Sequence, residues 1–154
     1  MTNRLDALAG VANAAEPLPN LLTGGQPSME HLQALKAAGV TVVLDIRDPM
    51  EPRPFDEVQT AKNLGLEYLN IPVSAGTLDD PTLERILAVV RANAGRPILF
   101  HCASGNRVGG ALLPHFILDH GMTEDTAIET AMRIGLRGAD VLEWGLDYAR
   151  RKAP

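Results

Sequence analysis

Ile98-Leu99-Phe100-His101-Cys102-Ala103-Ser104-Gly105-Asn106-Arg107-Val108-Gly109-Gly110 is an apolar run that turns polar within one residue and then becomes small and apolar again. Branched and aromatic residues followed by Ser, Gly and Asn predict a buried strand, a tight loop, and a helix opening near Arg107. The same join occurs elsewhere. Ala37-Ala38-Gly39 precedes Val40–Ile46, Asn63-Leu64-Gly65 precedes Leu66–Ile71, and Asn93-Ala94-Gly95 leads through Arg96-Pro97 into Ile98–His101. Glycine closes a helix in the left-handed conformation, and the runs after it are continuous rather than alternating, as in strands covered on both faces. Helices and strands that alternate with short joints give an α/β fold: a central, mostly parallel sheet of about four to five strands in three layers.

Helix starts are readable too. Ser28 is placed to cap Met29–Ala38, Thr123 to cap the helix from Glu124, and Asp80 to cap the helix opened by Pro81. In Ala139–Arg151 the residues Val141, Leu142, Gly145, Leu146 and Ala149 share a side that is expected to pack on the sheet. Pro114 is expected to kink its helix, and Gly109-Gly110 to allow close packing against the sheet. No repeat, linker or low-complexity segment interrupts residues 1–154, which read as a single domain.

Composition narrows the function. An apolar content of 45% excludes disorder, and one cysteine in 154 residues excludes a disulfide scaffold. A net charge of −5, with no basic stripe carrying aromatics, argues against nucleic acid. No apolar run suits a membrane span, and Met1–Glu16 has no secretory pattern, so the expectation is a cytoplasmic protein. His31, His115 and His120 have no metal-ligand spacing, and neither a metal nor an organic cofactor is expected.

Chemistry concentrates in the loop. If a helix opens near Arg107, the backbone N–H groups of Ala103, Ser104, Gly105, Asn106 and Arg107 can converge as an anion cradle, with the Arg107 fork across two oxygens of a tetrahedral anion. The same field acts on Cys102. A helix N-terminus and a nearby Arg bring a thiol from about 8.5 into a range of ~3.5–7.5, so a thiolate nucleophile is expected at neutral pH. A lone cysteine at a strand end is ordinarily a small buried hydrophobe, and it is the succession of strand, Cys, Ser-Gly, Arg and helix start that favours function. His101 is expected to support the loop. Arg47, after another parallel strand, is a candidate substrate contact, whereas Arg53, Arg133 and Arg137 read as surface residues.

His101-Cys102-x-x-Gly105-x-Arg107 resembles the signature loop of cysteine-dependent tyrosine and dual-specificity phosphatases. Over roughly residues 5–135 the chain is similar to the bacterial family of phosphatase-like domains of beta-lactamase hydrolase-like proteins. The similarity runs through Thr23-Gly24-Gly25-Gln26-Pro27-Ser28, Asp45-Ile46-Arg47…Glu51 and Tyr68-x-Asn70-Ile71-Pro72-Val73. It implies a phosphatase-type fold, a phosphorylated substrate, Cys102 as nucleophile and Arg107 as phosphate ligand.

The chain departs from the phosphatase pattern in three places. Four residues separate Cys102 from Arg107 where phosphatases have five, a spacing similar to that of rhodanese sulfurtransferases, as is Asp45-Ile46-Arg47…Glu51. Val108 stands where a Ser or Thr helps the cysteine leave. The loop Ser74–Asp80 has no Asp at the position of the general acid, leaving Asp79 as the candidate because Asp80 is expected to cap. The leading expectation is a phosphate-ester hydrolase working through a cysteinyl-phosphate. Sulfur transfer through a Cys102 persulfide and a catalytically silent anion-binding module are the alternatives.

Overall fold

The computed structural model describes residues 3–154. Five strands, β1 Ala15–Leu18, β2 Leu21–Gly24, β3 Val42–Asp45, β4 Glu67–Asn70 and β5 Ile98–His101, form one sheet in the order β1-β2-β5-β3-β4. Only the β1–β2 pair is antiparallel. The expected mostly parallel α/β sheet is therefore present, with β5 at its centre. β3 and β5 are buried along their whole length, whereas β4 is an edge strand and only partly covered, so its continuous apolar run does not mean two buried faces.

Strand parity divides the molecule into two cores. Val42, Leu44, Ile98 and Phe100 point toward α3 (Asp80–Ala92), α4 (Asn106–Pro114), α5 (Glu124–Arg133) and α6 (Ala139–Lys152). Val43 and Leu99 point the other way, onto α1 (Met29–Ala37) and, beside it, α2 (Glu57–Leu64). Ser28 and Thr123 cap their helices as expected, and Gly65 closes α2 at φ +72°.

Three packing expectations change. α6 rests mainly on α4 rather than on the sheet. Gly110 serves that contact: a Cβ there would lie 2.5 Å from the Val141 carbonyl oxygen, and a Cβ at Gly145 would collide with the Gly110 carbonyl. Gly109 meets Leu136 and the Ala131 carbonyl, so the glycine pair fits neighbouring helices, not strands. Pro114 leads into a π-helical turn over His115–Asp119, which accommodates the missing N–H while the chain continues helically. No helix among the described residues is long and apolar enough to cross a membrane.

Candidate active site

The loop after β5 lies where three parallel strands end side by side, the position at which open α/β sheets bind ligands. Cys102 keeps the parity of Ile98 and Phe100 and is fully buried at the floor of the loop. Its Sγ accepts the Gly105 N–H at 3.1 Å. Gly105 takes φ +99°, and a Cβ there would fall 2.6 Å from the Ile134 carbonyl oxygen, so both its backbone angle and its neighbours require glycine. The residue caps α4, whose first amides, Asn106 and Arg107, have no preceding helical carbonyl and are free to meet an anion. Asn106 directs its side chain elsewhere: Oδ1 accepts the Arg137 and Gly138 N–H groups at 2.7 and 2.8 Å, tying the loop to the α5–α6 connection. Ser104 is held through its carbonyl, which accepts the Asn13 side-chain amide at 2.7 Å, and the Ala103 carbonyl accepts the Gln26 N–H at 3.1 Å.

Arg107 is braced by Glu51, a residue that the sequence offers only within the family resemblance. Nη1 and Nη2 donate to the two carboxylate oxygens at 2.7 and 2.9 Å, and Nη1 also reaches the Val73 carbonyl at 3.0 Å. This pairing, led by the Arg107 hydrogen bond, draws the Glu51 carboxyl down to about 2 and raises Arg107 above its ordinary value. Glu51 takes further bonds from the Asp48 N–H at 2.7 Å and Arg47 Nε at 3.1 Å. Beside the pair lies a recess of about 240 Å³ lined in part by Ser74, Ala75, Asn106, Arg107 and Asp140.

Arg47, the expected substrate contact, is turned inward and engaged by the protein. Its side chain is 9% exposed, and all three guanidinium nitrogens are used, on Glu51, Gln26 Oε1 (2.7 Å) and the Pro52 carbonyl (3.1 Å). Arg53 is not a surface residue either; it donates to buried Asp45 at 2.6 and 3.1 Å. Arg133 is exposed, and Arg137 caps the Met132 and Leu136 carbonyls. Of the two carboxylates at the start of α3, the capping role expected of Asp80 belongs to Asp79. Asp79 is the N-cap and accepts the Thr82 N–H at 2.9 Å, whereas Asp80 lies inside the first turn, paired with Arg151 at 2.7 Å. Hydrogen bonding to Thr82 holds the Asp79 carboxyl below its ordinary value, the opposite of what a proton donor needs, and Asp79 is not among the residues around the Arg107 recess.

His101 follows the parity of Leu99 and faces α2. Its Nδ1 lies 3.1 Å from the Cys102 carbonyl and its Nε2 2.6 Å from Glu57 Oε2. Asp45, its register partner on β3, is fully buried and accepts the Tyr68 hydroxyl at 2.5 Å and the Arg53 guanidinium. Burial, then the Asp45 bond, raises the Tyr68 phenol well above its ordinary value, so it stays a donor. Asp45, Glu57 and His101 bring three ligand-type atoms together. Donors from Arg53, Tyr68 and Gln26 already engage the carboxylates, so this set fits an internal ion-pair network better than a metal centre.

The family model described as "DSP-PTPase phosphatase fused to NAD+ Kinase" matches residues 10–141. No curated protein matches the chain. Among solved structures, a DUF442 protein from Shewanella putrefaciens CN-32 superposes with a TM-score of 0.79 at 20% identity, over 97% of this chain and 99% of that one. Tk-PTP in its active form gives 0.74 at 17% identity over 92% and 98%. P. aeruginosa TpbA in complex with pTyr gives 0.65 at 22% identity over 90% and 96%. At these identities the structures establish a shared fold.

Proposed function

Because the chain belongs to the DSP-PTPase family of cysteine-dependent phosphatases, we propose that it hydrolyses a phosphate ester through a cysteinyl-phosphate intermediate. The observation that carries this reading is the loop itself. A cysteine at the end of the central strand receives an amide from the αL glycine three residues on, and an arginine braced by a carboxylate stands at the mouth. In the first step the Cys102 thiolate attacks phosphorus. An S–P bond forms, the ester P–O bond breaks, and the leaving oxygen takes a proton from water. The loop amides and Arg107 carry the charge on the equatorial oxygens. In the second step water attacks phosphorus, the S–P bond breaks, and thiolate and inorganic phosphate are released.

Two features set the tempo. With Asp79 committed to the α3 cap, esters of acidic phenols are the substrates that leave without help. Val108 is buried and offers no hydroxyl to the departing sulfur, so the second step is the slower. The phosphotyrosine held by TpbA makes an aryl phosphate the first substrate class to try. Hydrolysis of p-nitrophenyl phosphate by the wild type, lost on Cys102→Ser while the fold is kept, is the expected result. Turnover that persists in the Ser variant would overturn the reading.

The four-residue spacing from Cys102 to Arg107 supports a second reading, sulfur transfer. Thiocyanate formed from thiosulfate and cyanide only while Cys102 is present, with no phosphatase turnover, would favour it.

A further inference from the structure

The strand ends carry a hydrogen-bonded chain of side chains that leaves the loop at Arg107 and returns to it at Cys102. Arg107 Nη2 and Arg47 Nε both donate to Glu51 Oε1, at 2.9 and 3.1 Å. Arg47 Nη1 donates to Gln26 Oε1 at 2.7 Å, and Gln26 Nε2 donates to Glu57 Oε1 at 2.7 Å. Glu57 Oε2 lies 2.6 Å from His101 Nε2, and His101 Nδ1 lies 3.1 Å from the Cys102 carbonyl. Five side chains, Glu51, Arg47, Gln26, Glu57 and His101, thus join the phosphate ligand to the nucleophile's own backbone.

The chemistry of the acceptors fixes the protons along the last two links. A carbonyl oxygen only accepts, so Nδ1 carries a hydrogen. Nε2 and a carboxylate oxygen 2.6 Å apart cannot both be bare, so a second hydrogen lies between them. Groups around the pair favour placing it on the ring. Asp45 Oδ2 stands 4.0 Å from Nε2, and Glu57 Oε1 faces Gln26 Nε2 and, at 3.8 Å, Arg53 Nε. Glu57 also opens α2, where the helix dipole favours a carboxylate. Tyr68 donates to Asp45 and takes no part in the shared bond. Both partners are at most 1% exposed, so neither charge is viable without the other.

We propose that Glu57 is a positioning residue that holds His101 as an imidazolium behind the Cys102 loop, fixing the Cys102 carbonyl and placing a positive charge against the nucleophile's backbone. The pairing also balances the site. Arg47, Arg53, Arg107 and the imidazolium face Asp45, Glu51, Glu57 and the Cys102 thiolate, four charges of each sign. The inference rests on the reading of Cys102 as a thiolate nucleophile, but its test needs no substrate.

Glu57→Gln is the informative variant. A glutamine keeps the acceptor for Gln26 and can donate to a neutral Nε2, so it preserves the contacts and removes the second hydrogen. The measurements are ¹⁵N NMR of the His101 ring and the ultraviolet absorbance of the thiolate against pH, which is unambiguous because Cys102 is the only cysteine. The wild-type ring is expected to carry hydrogens on both nitrogens at neutral pH, and in Glu57→Gln the Nε2 hydrogen is lost. The pH at which thiolate absorbance appears is then expected to rise by about 0.5–1 unit, as when a neighbouring positive charge is removed. A wild-type Nε2 without hydrogen would overturn the proposal, and so would a Glu57→Gln protein with ring and thiolate onset unchanged. If Glu57→Gln fails to fold, the wild-type ring spectrum alone decides. Absence of phosphatase turnover alongside the expected spectra would instead count against the proposed function.

Discussion

His101 and Cys102 are consecutive, yet they belong to opposite sides of the sheet. Cys102 extends the apolar face under α3–α6, where the loop is held by shape: Gly105 against Ile134, Gly110 against Val141, Gly145 against Gly110. His101 extends the face toward α1 and α2, where the loop is held by charge through Glu57, Asp45, Arg53 and Gln26. A packed face resists any added volume and is indifferent to pH, while a charged face tolerates little loss of a partner and titrates. Damage to the two sides should therefore fail in different ways.

The largest effect on stability is expected on the apolar side. Gly110→Ala forces a Cβ to within 2.5 Å of a backbone oxygen on α6, and a cost of about 2–4 kcal/mol is expected by thermal or denaturant unfolding. Its stability loss should be the same from pH 5 to pH 8, and a pH-dependent loss would break the contrast between the faces.

The charged network should show the reverse, and Glu51 is its link, through Arg47, to Arg107. Glu51 titrates at about 2 when folded and near 4.5 when free, so its contribution is complete above 4.5 and is lost as pH falls through 2. Its side chain is 28% exposed, and the stabilisation, reduced by solvent screening, is on the order of 1–2 kcal/mol. Glu51→Gln should accordingly be less stable than the wild type at neutral pH, with the gap closing between 4.5 and 2. A constant gap across that window would show that the carboxylate charge is not what braces Arg107.

The smallest effect separates a cap from a catalyst. Asp79→Ala removes the acceptor for the Thr82 N–H and should cost about 1 kcal/mol of stability. Turnover of aryl phosphates with good and poor leaving groups should be equally unaffected. A loss confined to the poor leaving group would restore Asp79 as the proton donor.

Much of the fold is legible in the chain because its signals are local. Gly39, Gly65 and Gly95 take positive φ between helix and strand, Ser28 and Thr123 cap, and the run from Ile98 to Arg107 announces strand, loop and helix. The loop residues are legible for the same reason. What the sequence hides is non-local. Gln26, Arg47, Glu51, Glu57 and His101 meet only because β2, β5, β3 and β4 are neighbours in the sheet, an order that periodicity does not contain. Period-two parity would have placed Asp45 with Val43 and His101 with Leu99, on one face, and that signal was available. It could not reveal that Arg53, in a proline-rich loop that looks solvent-exposed, supplies the buried counter-charge. The sequence points to Asp80 as the cap where the structure has Asp79, because a Pro two positions after a cap and a Pro one position after it read alike in sequence.

The central claim is that phosphorus is transferred to Cys102, and the most direct test is to trap it there. Wild-type protein mixed with p-nitrophenyl phosphate and quenched in acid within the first turnovers should gain the mass of one phosphoryl group, located on Cys102 and absent in Cys102→Ser. Val108 in place of a hydroxyl should make this species accumulate, with a burst of p-nitrophenol ahead of the steady state. Steady release of p-nitrophenol from wild-type protein that never acquires the phosphoryl mass would contradict the account.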